Sequence, residues 1–219
     1  MRRWLTGGER FFLARIPADL TAPSLLPGWT RAHVVAHLVG SCEALGNLLH
    51  WARTGVETPM YASVEVRAAD IERRAALPAA ELTAAATTGS ERLLAAVDAM
   101  PAGAWDATVR TIQGRPVPAS EVLWMRSRET WIHAVDLAAG AGFGDLPAEL
   151  TDALLTEIAA RNDANDQCPG VTLAPSDRDR TWEFGSGDRQ AVRGTAGELC
   201  GWMLGRPSTV DGPALPRWL

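Results

Sequence analysis

Apolar residues recur at helical spacing through about the first 142 residues of the chain, and strand-like alternation appears only after that. The pattern predicts a first helix over residues 6–20, broken by Pro23, Pro27 and Gly28. Thr30 suits the N-cap of a long helix over 31–53, ended by Thr54 and Gly55. Residues 56–63 (VETPMYAS) read as a loop, followed by a shorter helix over 64–75. An Ala-rich, Leu-spaced helix over 78–100 is closed by Pro101-Ala-Gly, and a further helix over 119–139 ends at Gly140. Four main helices joined by loops predict a mainly α chain with an N-terminal four-helix bundle, residues 1–142.

The pattern then changes. A helix over 147–163 is followed by short β-like stretches at 170–174, 180–184 and 190–194, separated by turn residues at 176–177 and 185–188. Thr195 and Glu198 have the spacing of a capping box for a last helix, and Gly205 suits its C-terminal cap. Residues 143–219 therefore read as a smaller C-terminal α+β domain.

Composition narrows the function classes. The 219 residues carry a net charge of −5, with no basic cluster, which argues against nucleic acid as a partner. All 21 basic residues are Arg, so lysine chemistry is excluded. No run approaches the ~18–20 apolar residues of a membrane span, and no signal-peptide pattern opens the chain. Cys42, Cys168 and Cys200 are far apart and form no CxxC, as expected of reduced, buried thiols in a cytoplasmic protein. A monomer or small homo-oligomer is expected, and the sequence does not choose between them.

The chemistry-bearing residues lie on two helices. Of four histidines, His33, His37 and His50 belong to the second helix and His133 to the helix over 119–139. Glu129 and His133 are four residues apart, which stacks them on one helix face. They form a polar stripe with Arg126 and Asp136 on an otherwise apolar helix. Two imidazoles and a carboxylate make a three-donor set with an open position, the pattern of catalytic zinc. His33 and His37 have the same spacing, and both remain candidates for the third donor. His33 is placed to serve the helix end, whereas His37 lies a turn deeper. His50, near the other end, reads as an exposed histidine.

Three segments carry a family resemblance: LPGWTRAHVVAHL (26–38), GNLLHWARTGVETPMY (46–61) and EVLWMRSRETWIHAVDL (121–137). They resemble mycothiol-dependent maleylpyruvate isomerases, within the wider DinB-like group of thiol-using, metal-binding bundles. The likeness extends to the C-terminal GWMLGRP (201–207). It implies zinc, or another divalent metal, held by His37, Glu129 and His133, and mycothiol as the thiol cofactor. It also implies a catalytic arginine at Arg206, with Arg193 as its nearest rival. Arg53 and Tyr61 fall in the family-like stretch without an assigned role, and the mycothiol-binding residues are not identified.

The implied reaction belongs to gentisate-type aromatic catabolism. Thiolate adds to the cis double bond of maleylpyruvate, the resulting single bond rotates, and elimination gives fumarylpyruvate. The three cysteines lie beside no histidine or basic cluster in sequence, so an external thiol is required. One carboxylate and two neutral imidazoles would leave a Zn²⁺ site at +1, able to attract sulfur as thiolate. Arg206 would pair with a substrate carboxylate or the enolate. Two other activities use the same residues: a mycothiol S-transferase, whose product keeps the thiol, and a non-catalytic metal- or ligand-binding module.

Overall fold

In the computed structural model, which describes residues 1–216, five helices and a short β-ribbon form a first unit, Met1–Gly140. The chain from Ala141 onward forms a second. The helices of the first unit are α1 (Arg2–Leu13), α2 (Arg31–Thr54), α3 (Val64–Ala75), α4 (Ala79–Asp98) and α5 (Glu121–Asp136). α2 packs against α4 and α5, α1 against α5 and α4, and α3 lies along α2. Two apolar clusters fill the bundle. One gathers Leu5, Leu45, Leu48, Leu93 and the ribbon valines, and the other Phe12, Val34, Val35, Leu38, Leu82 and Leu137. Each fully buried side chain of this size stabilises by roughly 1.5–3 kcal/mol, which is why the buried stripes set the helix faces.

The boundaries of α1 and α5 differ from the pattern. α1 starts and ends earlier than 6–20. Thr6 does not cap it: its hydroxyl donates back to the Arg2 carbonyl at 3.1 Å, inside the helix. Past Leu13 the chain approaches Pro17, and the residue before a proline is disfavoured in helical geometry. α5 is shorter than 119–139 because Ala119 and Ser120 donate instead to the carbonyls of Ala107 and Trp105, at 2.9 and 3.0 Å. Those bonds dock α5 on an unexpected ribbon, β1 (Thr108–Arg110) antiparallel to β2 (Pro116–Pro118), with Val109 opposite Val117 and both buried. The two prolines of β2 hide it from a sequence reading.

The far end of α5 is held by α2. Arg31, at the first position of α2, donates from Nε to the Leu137 carbonyl at 2.8 Å and from Nη2 to the Ala138 carbonyl at 2.7 Å. Carbonyls that the helix end leaves without partners are thereby satisfied.

At the middle of the bundle lies a buried ion pair. Arg126 on α5 donates from Nε and Nη2 to the two carboxylate oxygens of Glu9 on α1, at 2.6 and 3.1 Å. Its Nη1 donates to the Leu38 carbonyl on α2 at 2.9 Å. Both side chains are 2% exposed. Beside them α1 crosses α5 closely: a Cβ on Gly8 would meet Thr130 Oγ1 at 2.2 Å.

The second unit contains α6 (Ala148–Asp163), β3 (Pro169–Pro175), β4 (Trp182–Phe184), β5 (Ser186–Gly194) and α7 (Ala196–Met203). The sheet order is β4-β3-β5, with β4 antiparallel and β5 parallel to β3. The turn expected over 185–188 contracts to Gly185. There the chain crosses from one side of β3 to the other, with φ +76° and a would-be Cβ 2.1 Å from the Pro169 carbonyl oxygen, so only glycine fits. The Thr195–Glu198 capping box forms as the spacing predicts. Gly205, at φ +71°, closes α7: its N–H donates to the Trp202 carbonyl and that of Arg206 to the Gly201 carbonyl, at 2.9 and 3.0 Å. The architecture is mainly α with a smaller C-terminal α+β unit. No helix among the described residues is long and apolar enough to cross a membrane.

The Glu9–Arg126 pair makes a stability prediction. Arg126→Met leaves a buried carboxylate unpaired and costs about 3–5 kcal/mol, read by urea denaturation. Adding Glu9→Leu removes the orphan charge and recovers most of that loss. A double variant as unstable as the single one would show that the pair itself is not the source.

Candidate metal centre

His37 arises from a stretch of α2 in which residues 34–39 are all buried, and Glu129 and His133 arise from successive turns of α5. The α2–α5 packing brings the three together. Glu129 Oε2 lies 2.7 Å from His37 Nε2 and 3.4 Å from His133 Nε2. The imidazole rings meet edge to face with centroids 4.9 Å apart. The three donor atoms all fall within 4.8 Å of one another, and among the described residues this group contains no fourth donor. A divalent ion with bonds of about 2.0–2.2 Å draws its donors to within roughly 3.5 Å of one another, so small side-chain shifts suit the set to one ion. Two imidazole nitrogens and a carboxylate oxygen match the chemistry of zinc and its neighbours in the transition series.

Electrostatics set these groups apart. Burial lowers the His37 imidazole, and its interaction with Glu129 offsets that only in part. Burial acts in the same direction on His133, but hydrogen bonds with Asp136 and Glu129 outweigh it and push the group up to about 9. Burial would raise Glu129, yet hydrogen bonds with His133 and His37 hold its carboxyl well below the usual range. The carboxylate is therefore an anion that already attracts positive charge at this point.

The remaining predicted residues separate clearly. His33 Nδ1 accepts from the Thr30 amide and its Nε2 lies 3.2 Å from Glu72, so it serves the start of α2 and faces away from the donor set. His50 is exposed. Asp136, fully buried, accepts from His133 Nδ1 at 2.9 Å and so orients a donor directly. Arg126 instead joins Glu9 and the α2 backbone. Arg53 is exposed, whereas Tyr61 is half-buried and its hydroxyl is raised by burial, with Arg67 and Glu129 among its charged neighbours. Arg206 belongs to the second unit, where it is half-buried and donates from Nη1 to the Leu204 carbonyl at 2.6 Å. Arg193, on β5, is exposed. The three cysteines are free and buried, and burial pushes the Cys42 thiol up to about 11 and that of Cys200 up to about 12.

Two neighbours of the donor set escaped the sequence reading. Arg67 on α3 places Nη2 3.2 Å from His37 Nδ1. Trp29, ahead of α2, lies with its ring centroid 5.8 Å from that of His37. Trp29 stands in the quoted segment 26–38 and could have been noticed there. Arg67 lies outside all three segments, and its sequence neighbours give no signal.

Known proteins share this fold. The family model described as "Mycothiol maleylpyruvate isomerase N-terminal domain" matches residues 10–138. No curated protein matches the chain. Two solved structures are similar, the mycothiol-dependent maleylpyruvate isomerase and a histidine-to-alanine mutant of that enzyme. Each has 36% identity and a TM-score of 0.93 over 98% of this chain and 94% of the other. The chain belongs to the mycothiol maleylpyruvate isomerase family.

Proposed function

We propose that the protein is a mycothiol-dependent maleylpyruvate isomerase acting in gentisate-type aromatic breakdown in the cytoplasm. The observation that carries this reading is the convergence of His37, Glu129 and His133 on one point in a fold shared with that isomerase. In this reading residues 1–142 are the metal-binding domain and 143–219 the C-terminal α+β domain, whose last three residues lie outside those described.

His37 and His133, through Nε2, and Glu129, through Oε2, are the groups that would hold the ion. When bound, a divalent metal such as zinc supplies the Lewis acidity that favours the thiolate of mycothiol, the nucleophile whose addition and elimination account for cis–trans isomerisation. Asp136 accepts a hydrogen bond from His133 Nδ1, which fixes the ring with Nε2 turned toward Glu129, where an ion would replace the Nε2 proton. The raised thiols of Cys42 and Cys200 are protonated at neutral pH, so neither replaces the external thiol. Arg206 provides a planar guanidinium for a substrate carboxylate or the enolate.

The test is to mix zinc-loaded protein with maleylpyruvate, with and without mycothiol, and follow fumarylpyruvate. Thiol-dependent turnover that does not consume mycothiol is expected. A lasting thioether product would reassign the protein as an S-transferase, and no turnover with metal bound would overturn the reading. His37→Ala and His133→Ala are expected to lose metal and activity together. Arg206→Ala is expected to keep its metal and turn over about 100-fold or more slowly.

Asp136→Asn tests the orientation of His133 separately. It is expected to weaken metal binding about 10–100-fold, read by titration with Co²⁺ and its visible spectrum. Affinity equal to that of the parent would remove Asp136 from the centre.

A further inference from the structure

Tyr61 is the chain's one tyrosine, half-buried in the loop between α2 and α3. Two observations place its hydroxyl beside the metal centre. A Cβ on Gly40 of α2 would meet that hydroxyl at 4.0 Å and, apart from its own helix, nothing else within that distance among the described residues. Gly40 follows His37 by three residues and shares its helix face. The Arg67 guanidinium spans the two side chains, with Nη2 3.2 Å from His37 Nδ1 and its carbon 5.8 Å from the centroid of the Tyr61 ring.

The arrangement leaves the hydroxyl with a proton to share. Arg67 hydrogen-bonds with it, and a guanidinium only donates, so the phenolic oxygen is the acceptor. Among the described residues the phenolic proton itself meets no acceptor. Burial raises the group, which is therefore protonated at neutral pH. Accepting from a cation polarises the O–H and strengthens it as a donor. Gly40, itself half-buried, puts no side chain in the space before it. A neutral, polarised donor facing open space beside a metal centre suits negative charge that develops on a substrate oxygen.

We propose that Tyr61 is a further catalytic residue of this centre, donating a hydrogen bond to the enolate oxygen that forms when the thiolate adds. The inference rests on the proposed function for the reaction. As sulfur bonds to one alkene carbon, the π pair moves toward the ketone and leaves the negative charge on its oxygen. After rotation the pair returns, the C–S bond breaks and the thiolate leaves with its electrons. No proton is transferred: Tyr61 keeps its own and shares it while the charge exists. Such a donor holds the transition state more strongly than the bound substrate, so it acts on kcat rather than on KM.

Tyr61→Phe keeps the ring and removes the donor. With mycothiol, its zinc-loaded form is expected to turn over about 100-fold more slowly, with KM little changed and with the parent's thermal melt and Co²⁺ affinity. A kcat equal to that of the parent would overturn the proposal. So would a raised KM at constant kcat, or a loss of metal or of thermal stability that accounts for the slower turnover, because the hydroxyl would then serve binding or folding.

The second readout does not use turnover. The probe is para-nitrophenolate, a planar anion whose charge lies on an oxygen conjugated with a π system, followed by its visible absorption on zinc-loaded protein without thiol. The parent is expected to bind it about tenfold or more tightly than Tyr61→Phe, the worth of a charge-assisted hydrogen bond. Equal affinity, or no binding to either, counts against the proposal. Because the chain has a single tyrosine, growth on fluorotyrosine labels this position alone. Its fluorine resonance is expected to move when the probe is added, which keeps the test open if Tyr61→Phe fails to fold; a resonance that stays in place counts against the proposal. An inert parent whose nitrophenolate binding depends on Tyr61 removes the isomerase reading alone. Thiol-dependent turnover that Tyr61→Phe leaves unchanged removes this inference alone.

Discussion

The bundle depends on one buried fork. Arg126 binds both oxygens of Glu9 and the carbonyl of Leu38, so a single guanidinium fixes α1, α2 and α5 against one another. Two of the three residues it joins are next to the metal centre in sequence. Leu38 follows His37, and Arg126 precedes Glu129 by three residues, about one helical turn. Desolvating two charges is costly, and the pair holds only because its geometry is good and further hydrogen bonds complete it. Arg31 performs the corresponding task at the other end of α5, where it takes the carbonyls of Leu137 and Ala138. The donor set is thus pinned along the α2–α5 seam from both sides, and helix sliding cannot separate His37 from Glu129 without breaking one of these attachments.

This arrangement explains which parts of the site were legible in the sequence. Glu129 and His133 are a local pair, because four residues on a helix place side chains on one face whatever the tertiary structure. The choice between His33 and His37 was not local, since both have the same spacing, and the family resemblance decided it. The physical reason is visible in the fold. His33 is engaged by Thr30 and Glu72 at the start of α2, one turn short of the α5 seam. Arg67 gave no sequence signal at all, because it reaches His37 only through the packing of α3 along α2. Asp136 was legible as part of the α5 stripe. Arg126 shared that stripe but turned toward α1, and nothing in a single helix wheel distinguishes the two outcomes.

The second unit divides in the same way. Its capping box and glycine cap are contacts between near neighbours, and the sequence carried both. The sheet order is set by pairing at a distance, with β5 parallel to β3 although β4 stands between them in sequence. That topology turns on Gly185, where the Pro169 carbonyl leaves no room for a side chain. Its neighbours Ser186, Gly187 and Asp188 look like turn residues, yet the parallel pairing with β3 draws Ser186 into a strand. Tertiary pairing here overrides local preference.

The two imidazoles of the metal centre stand in different electrostatic surroundings. Asp136 accepts from His133 Nδ1, and with Glu129 it pushes that group up to about 9, so an ion at Nε2 must displace a proton that the ring holds firmly. Burial lowers His37, whose Nε2 lies 2.7 Å from the same carboxylate. Glu129 is the anion that both rings share, and an ion beside it would take over the positive charge that His133 otherwise supplies. Metal binding at this centre is therefore coupled to proton release, and it strengthens as pH rises toward the range where His133 gives up its proton.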